Sequence, residues 1–454
     1  MDKKTELKKN DVLTINITGL GYNGEGVSKD FEMPIFVPFA LPGERVEVKI
    51  IFAKKDFYVG KLEKIIIKSN DRTEPLCPVF TKCGGCQLEH LCYEKQLEFK
   101  KEHVRDCFKK IAGMDVKIND AVPSKMYEYR NKFALPVGND ENGNVVIGMY
   151  AGNSHRIIDI GGCPITQKWN KDLIKTVKSF VKKYKISAYN EQSHKGLLKH
   201  VVARKVGKKL CITMVINSGD MPYKNELVNM LKKEFGEDIC IYLNINKLNN
   251  NIILGEKFVL IYGNNPIDDF DGVKTPIHPN SFYQVNDDIK TLIYQKVLAE
   301  IDNTNVIDAY SGAGTISNYI AKNYKAENKN YKVYSVEIIP EAVEGAKKSS
   351  RENNVDDYVN HILGDCAVIL PDLTNKLNAS IIIDPPRKGL DKNVIDSIIK
   401  SNANKICYIS CDPSTLARDV KFLSERYNIL SVTPYDMFPN TKHIETLVIM
   451  ERKI

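Results

Sequence analysis

The sequence predicts a multidomain protein with an OB-like β-barrel at the N-terminus, a central α+β region and a C-terminal Rossmann-like α/β domain. Three observations carry this. The chain has 454 residues, more than one ordinary domain holds. Short alternating apolar segments, divided by Gly and Pro turns, fill the beginning of the chain. In the last third, apolar strands alternate with helical stretches, the pattern of a doubly wound parallel sheet. The expected domains are residues 1–68, 69–270 and 271–454.

The barrel strands are VLTINIT (12–18), IFVPFA (35–40) and RVEVKIIF (45–52), with LPGE (41–44) as a tight turn. Five or so such strands with basic loops suit an OB-like nucleic-acid binder or an assembly barrel. A hydrophobic content of 43% supports real cores. No apolar run is long enough to cross a bilayer, and the charged start MDKKTELKKN lacks the apolar stretch of a signal peptide. A cytoplasmic protein is therefore expected. The net charge of +8 is mild for this length and favours a nucleic-acid partner only weakly.

Eleven cysteines, an odd number without a secretion signal, argue for metal or catalytic thiols and against a disulfide framework. Cys77, Cys83 and Cys86 are spaced C-x5-C-x2-C, and Cys163 in GGCPIT is a fourth ligand from a distant turn. Four thiolates suit zinc or an iron–sulfur cluster, and the spacing alone does not choose. Cys92 and Cys107 are left as free thiols. Further on, 93–111 has helical periodicity with a basic face, 200–216 reads as a hairpin around Gly207, and 225–235 as an amphipathic helix. The stretches 127–138 and 194–205 interleave basic with aromatic or apolar residues, as strands that contact RNA phosphates do.

VIDAYSGAGTIS (306–317) reads as a buried strand, a glycine-bearing loop and a helix start. Gly312 and Gly314 allow a sharp turn and close approach to a ligand. Glu337 ends the next strand, where an acid accepts hydrogen bonds from both hydroxyls of a ribose, and Asp365 follows a third apolar segment within reach of an adenine amine. The loop lacks a third glycine and a basic residue for a pyrophosphate, so S-adenosylmethionine fits better than NAD or ATP. The Asn/Lys-rich segment 323–332 reads as a surface insertion.

Asp384, in IIIDPPRKGL, stands at the carboxyl end of a strand, where open α/β sheets bind ligands. Arg387 replaces the aromatic residue that follows D-P-P in amino-group methyltransferases. The next strand delivers Cys411 in SCDPSTLARD, near a helix N-terminus that lowers a thiol pKa. A thiolate suits a uracil: addition to carbon 6 makes carbon 5 nucleophilic enough to take a methyl group. A base must then remove the carbon 5 proton. Glu445 and His443, two apart on a final strand and so on one side of it, both qualify, with Glu445 favoured. The base must leave its stack to be attacked, and Phe282 is placed to hold it.

The ordered motifs SFYQVN (281–286), DAYSGAGTIS, DPPRKGL, SCDPSTLARD and FPNTKHIETLV resemble the RNA (uracil-5-)-methyltransferases, above all the 23S ribosomal RNA branch with an N-terminal TRAM domain. The resemblance covers nearly the whole chain. It implies a class I methyltransferase domain at the C-terminus, a TRAM barrel, and a central RNA-binding domain with a [4Fe-4S] cluster on Cys77, Cys83, Cys86 and Cys163. It implies Cys411 as nucleophile, Glu445 as base, and Gln284, Tyr310, Glu337 and Asp384 around cofactor and base. The chain departs from the pattern in having Asp412 where asparagine is common, and in an insertion before Glu337. The implied partner is ribosomal RNA, with transfer RNA as the alternative, bound by a monomer. A radical enzyme would need a C-x3-C-x2-C triplet, which the sequence lacks. A non-catalytic RNA-binding protein would have no use for Cys411 and Glu445.

Overall fold

Alternation of apolar and polar residues sets the N-terminal strands: in Arg45–Ala53, Val46, Val48 and Ile50 turn inward while their neighbours face out. The computed structural model describes residues 6–301 and 304–453; residues 1–5 of the expected barrel segment lie outside it. Six strands form the first sheet, in the order Val12–Asn16, Arg45–Ala53, Tyr58–Ile67, Ile35–Val37, Gly26–Ser28, Gly19–Leu20. Its core gathers Ile15, Ile17, Ile35, Val37 and Tyr58. Buried Glu44 closes the LPGE turn by accepting from the Leu41 amide. The same carboxylate takes the Arg72 guanidinium at 2.5 and 2.9 Å, which anchors the barrel to the next segment.

The central sheet has seven strands, ordered Lys257–Tyr262, Ile239–Ile245, Lys209–Ile216, Leu198–Val206, Lys132–Asn139, Val145–Tyr150, Ile157–Asp159. Helices Trp169–Lys183 and Lys224–Phe235 pack onto it in one core. The expected hairpin turns at Gly207, with Val206 paired to Lys209. The expectation that 194–205 offers its basic residues to phosphates does not hold for the strand itself. Lys199, His200 and Arg204 are buried, because this strand lies at the middle of the sheet and both its faces are covered.

The C-terminal sheet runs Val359–Leu363, Val333–Glu337, Asn305–Ala309, Ala379–Ile383, Lys405–Ser410, Glu445–Arg452, Tyr427–Tyr435. The first five strands are parallel, and Glu445–Arg452 inserts antiparallel beside Lys405–Ser410. Apolar cores cover both faces. The segment 323–332 is only in part a surface insertion. Its first residues complete helix Thr315–Ala326, and Tyr324 is buried, its hydroxyl donating to the Thr304 carbonyl.

Helix Tyr93–Cys107 leaves the central segment and packs against this last domain. Val104 and Cys107, with Phe108 just beyond, share a core with Ile381 and Leu416. Its expected basic face is partly buried too: Lys100 Nζ donates to Asp436 Oδ1 at 2.5 Å and to the Phe438 carbonyl at 3.0 Å. Removing one member of a buried pair leaves the other charge uncompensated. Lys100→Met is expected to cost about 3–5 kcal/mol, read from the urea unfolding midpoint, and adding Asp436→Leu should restore most of it. An unchanged midpoint in the single variant would refute the pair.

Candidate active site

Strands Asn305–Ala309 and Ala379–Ile383 are neighbours at the centre of the C-terminal sheet, and the chain leaves them in opposite directions. Such a switch point opens a crevice at the carboxyl ends of the strands. Here the crevice is a cavity of about 680 Å³. Gln284, Tyr310, Glu337, Asp365, Asp384, Cys411 and Glu445 all line it, so residues from across the last domain meet in one place.

The glycine loop follows from local backbone needs. Tyr310, Gly312 and Gly314 take φ of 64°, 56° and 70°. A Cβ on Gly314 would stand 2.7 Å from that of Ala346, so this glycine serves the packing of helix Pro340–Glu352 and not the ligand. Gly312 alone of the two borders the cavity. Glu337 Oε2 accepts from the Gly312 amide at 2.9 Å, which ties the loop to the tip of the second strand. Asp365 caps helix Cys366–Lys376, with Oδ1 accepting from the Ala367 amide at 2.9 Å.

This wall fits a nucleoside. Two carboxylates, the Tyr310 ring and the exposed Ile338 side chain suit ribose hydroxyls, an exocyclic amine and an apolar ring face. Among the described residues the cations on the cavity are Arg387 and Lys388, which follow Asp384 and not the glycine loop, so none of them is placed on that loop for a pyrophosphate.

At the other end, Cys411 ends strand Lys405–Ser410 and Asp412 caps helix Pro413–Leu423, accepting from the Ser414 and Thr415 amides at 2.9 and 3.1 Å. The expectation of a lowered thiol pKa is overturned. Burial pushes Cys411 up to about 11, the Glu445 and Asp384 charges add to this, and the Arg387 guanidinium opposes it. The helix terminus cannot reverse the balance because the Asp412 carboxylate already occupies it. Burial also raises Asp384 to about 7, with the Asp308 charge adding, and burial then Asp384 push Glu445 well above the usual carboxylate range.

A raised thiol pKa leaves less thiolate at pH 7 than a free cysteine has, and more appears only as pH rises toward 11. Alkylation of Cys411 by iodoacetamide, followed by peptide mass mapping, is expected to accelerate about tenfold per pH unit between 7 and 10. A plateau below pH 8 would contradict the burial argument.

Glu445 and His443 do not share a strand face, because the strand begins at Glu445. His443 lines a separate cleft, and burial, then Arg387, push it down to about 4. Only Glu445 meets the large cavity. Phe282, 66% exposed, stands at the cavity lip. In the sequence Arg387 stands out only as a departure from another motif. Its guanidinium lies beside Cys411, and no spacing signals a contact made between two loops.

Cys77, Cys83, Cys86 and Cys163 line a second cavity of about 40 Å³, walled by Val79, Phe80, Met149, Ile160 and Ile165. Four sulfurs around an apolar hollow are a donor set that suits an iron–sulfur cluster. Among the described residues, however, no group of three or more His, Cys, Asp or Glu is placed to hold a metal ion. Cys92 and Cys107 lie apart, near Asp71 and Ser414.

A central α/β sheet with an inserted antiparallel strand, and a nucleoside-shaped wall facing a thiol, define a methyltransferase-type domain. Residues 6–62 match the TRAM domain, and residues 370–453 the tRNA (Uracil-5-)-methyltransferase family. An uncharacterized RNA methyltransferase of Clostridium tetani is 41% identical over 99% of this chain and 98% of its own. One from Bacillus cereus is 39% identical over 98% of each chain. The crystal structure of Pyrococcus abyssi tRNA (uracil-54, C5)-methyltransferase in complex with S-adenosyl-L-homocysteine is 29% identical. It superposes with a TM-score of 0.79, covering 96% of this chain and 99% of that one. The chain belongs to the RNA uracil-5-methyltransferase family and carries an N-terminal TRAM domain.

Proposed function

We propose that the protein transfers a methyl group from S-adenosylmethionine to carbon 5 of a uridine in 23S ribosomal RNA. The carrying observation is that Cys411, Glu445 and Asp384 share one cavity with the acid-bearing wall of Glu337 and Asp365. Bound S-adenosylmethionine supplies an electrophilic methyl group. Cys411 adds through sulfur to carbon 6 of the uracil, and Arg387 stabilises the thiolate that does so. Carbon 5 takes the methyl group, the sulfur–methyl bond breaks with its electron pair left on sulfur, and S-adenosylhomocysteine departs. Glu445 then removes the carbon 5 proton, the double bond between carbons 5 and 6 re-forms, and the carbon–sulfur bond breaks to release Cys411. Asp384 hydrogen-bonds the uracil imide or the cofactor, Gln284 and Tyr310 position the two, and Phe282 holds the base outside its stack.

On the same reading the protein is a cytoplasmic monomer, and Cys77, Cys83, Cys86 and Cys163 hold a [4Fe-4S] cluster. Anaerobically purified protein is expected to contain iron and acid-labile sulfide in equal amounts, lost together in Cys86→Ser. Protein that takes up zinc and no sulfide would defeat the assignment.

The combination of TRAM domain and four-cysteine cavity supports ribosomal RNA, by resemblance to that branch of the family. Transfer RNA is the second reading, favoured by the Pyrococcus abyssi enzyme, whose likeness spans the barrel as well. The test gives protein and labelled S-adenosylmethionine to unmodified 23S ribosomal RNA and to transfer RNA separately, then digests each to nucleosides. Label in 5-methyluridine from the ribosomal RNA alone is expected. Label from transfer RNA alone would reverse the substrate, and none from either would end the methylation reading.

A further inference from the structure

A second cleft, of about 150 Å³, meets the large cavity at the catalytic thiol. Its walls include Tyr22 of the barrel, His103 of helix Tyr93–Cys107, Arg387, Lys442 and His443. It shares only Cys411 and Arg387 with the large cavity. We propose that this cleft binds the backbone phosphate flanking the target uridine, and that Tyr22 with His103 carries the adjoining base. The inference rests on the methylation reading above and deepens it.

The bonding in uracil sets where the sugar lies. Carbon 6, which the thiol attacks, is bonded to nitrogen 1, and nitrogen 1 carries the ribose. A sulfur within bonding distance of carbon 6 is therefore next to the sugar. With the methyl donor on the large-cavity side, the sugar and its phosphates leave past Cys411, toward the second cleft. The cleft suits them. Arg387 and Lys442 supply two cations on its wall, and after burial their charges are the next causes that hold His443 down. The acid on this wall, Asp412, already has an oxygen taken up by the helix cap. RNA phosphates are held by such cations.

The aromatic part is equally specific. Tyr22, 50% exposed, sits edge-on to His103 with ring centres 4.3 Å apart. Lys442 Nζ lies 5.6 Å from the Tyr22 ring centre and donates to Asn23 Oδ1, which holds the barrel loop against the catalytic domain. Beyond Tyr22 and His103 a groove of about 420 Å³ continues past Phe36 and Phe99. Tyr22 is the exposed ring of this set, His103, Phe36 and Phe99 being half-buried, and the groove carries Glu102, Asp106 and Lys110; an exposed ring beside cations is how a single-stranded RNA base is stacked.

The test measures RNA affinity, by fluorescence anisotropy over a salt series, for wild type, Tyr22→Ala, Tyr22→Phe and Lys442→Gln. The probes are unmodified 23S ribosomal RNA and transfer RNA transcripts. Tyr22→Ala is expected to raise Kd about tenfold, with Tyr22→Phe within about twofold of wild type because the ring remains. Lys442→Gln should reduce the slope of log affinity against log salt by about 0.7 to 0.9. S-adenosylmethionine affinity should stay unchanged in all three. Wild-type Kd in Tyr22→Ala would overturn the stacking role, and a wild-type salt slope in Lys442→Gln the phosphate role. RNA binding that responds to both variants without any 5-methyluridine from wild type would keep the cleft and end the methylation reading. Methylation by wild type, with all variants binding equally, would do the reverse.

Discussion

Cys411→Ala is expected to abolish 5-methyluridine formation, a loss of about 10⁴-fold or more, while S-adenosylmethionine binding stays at wild-type strength. The asymmetry comes from position. The thiol is at the far end of the 680 Å³ cavity from Glu337 and the glycine loop, so its removal leaves the nucleoside wall intact. Without sulfur at carbon 6, carbon 5 of uracil is too weak a nucleophile to take a methyl group, and the other thiol on the cavity, Cys366, follows Asp365 on the nucleoside wall. Turnover measured with labelled cofactor, alongside cofactor titration, separates the two effects. Residual turnover within tenfold of wild type would remove the thiol from the mechanism.

Glu445→Gln is expected to fail later, and visibly. The amide keeps the shape of the carboxylate but cannot take the carbon 5 proton. Addition and methyl transfer proceed once, elimination does not, and RNA stays joined to Cys411. A labelled RNA–protein band on a denaturing gel, with multiple turnover reduced by at least about 10²-fold, is the expected result. His443→Gln should show no such band, because His443 faces the other cleft. A trapped band in the histidine variant and normal turnover in the glutamate variant would exchange their roles.

The sequence carried the elements of this site well and their electrostatics poorly, for a physical reason. Strand-end positions such as Glu337, Asp384 and Cys411 follow from alternation and from the rule that parallel sheets bind ligands at their carboxyl ends, both local or topological properties. The Cys411 pKa is tertiary. A helix start was legible in Asp-Pro-Ser-Thr, but the enclosing walls and the two carboxylates come from segments that no spacing links to it. Lys199 and Arg204 misled in the same way, since basic residues in an alternating strand read as surface until the neighbouring strands cover them. Arg387 was in plain view and its contact was not. The four cysteines are the intermediate case: the sequence pointed to a shared site, and the fold brings them to one hollow.

The seat of helix Tyr93–Cys107 has a consequence for how the chain is made. Gln96 Nε2 donates to the Asn440 side chain across 344 residues of sequence, and the Asn440 amide donates back to Gln96. The Asn440 carbonyl accepts from the Gln87 and Leu88 amides, one and two residues beyond Cys86. On the ribosome, the cysteine loop emerges early and waits for nearly the whole chain before these bonds exist. The barrel, whose ladder partners all lie among its own strands, has no such wait. Nascent chains arrested before Asn440 will therefore present Cys77, Cys83 and Cys86 on an unlatched loop, open to oxidation, and only the emergence of Asn440 fastens it.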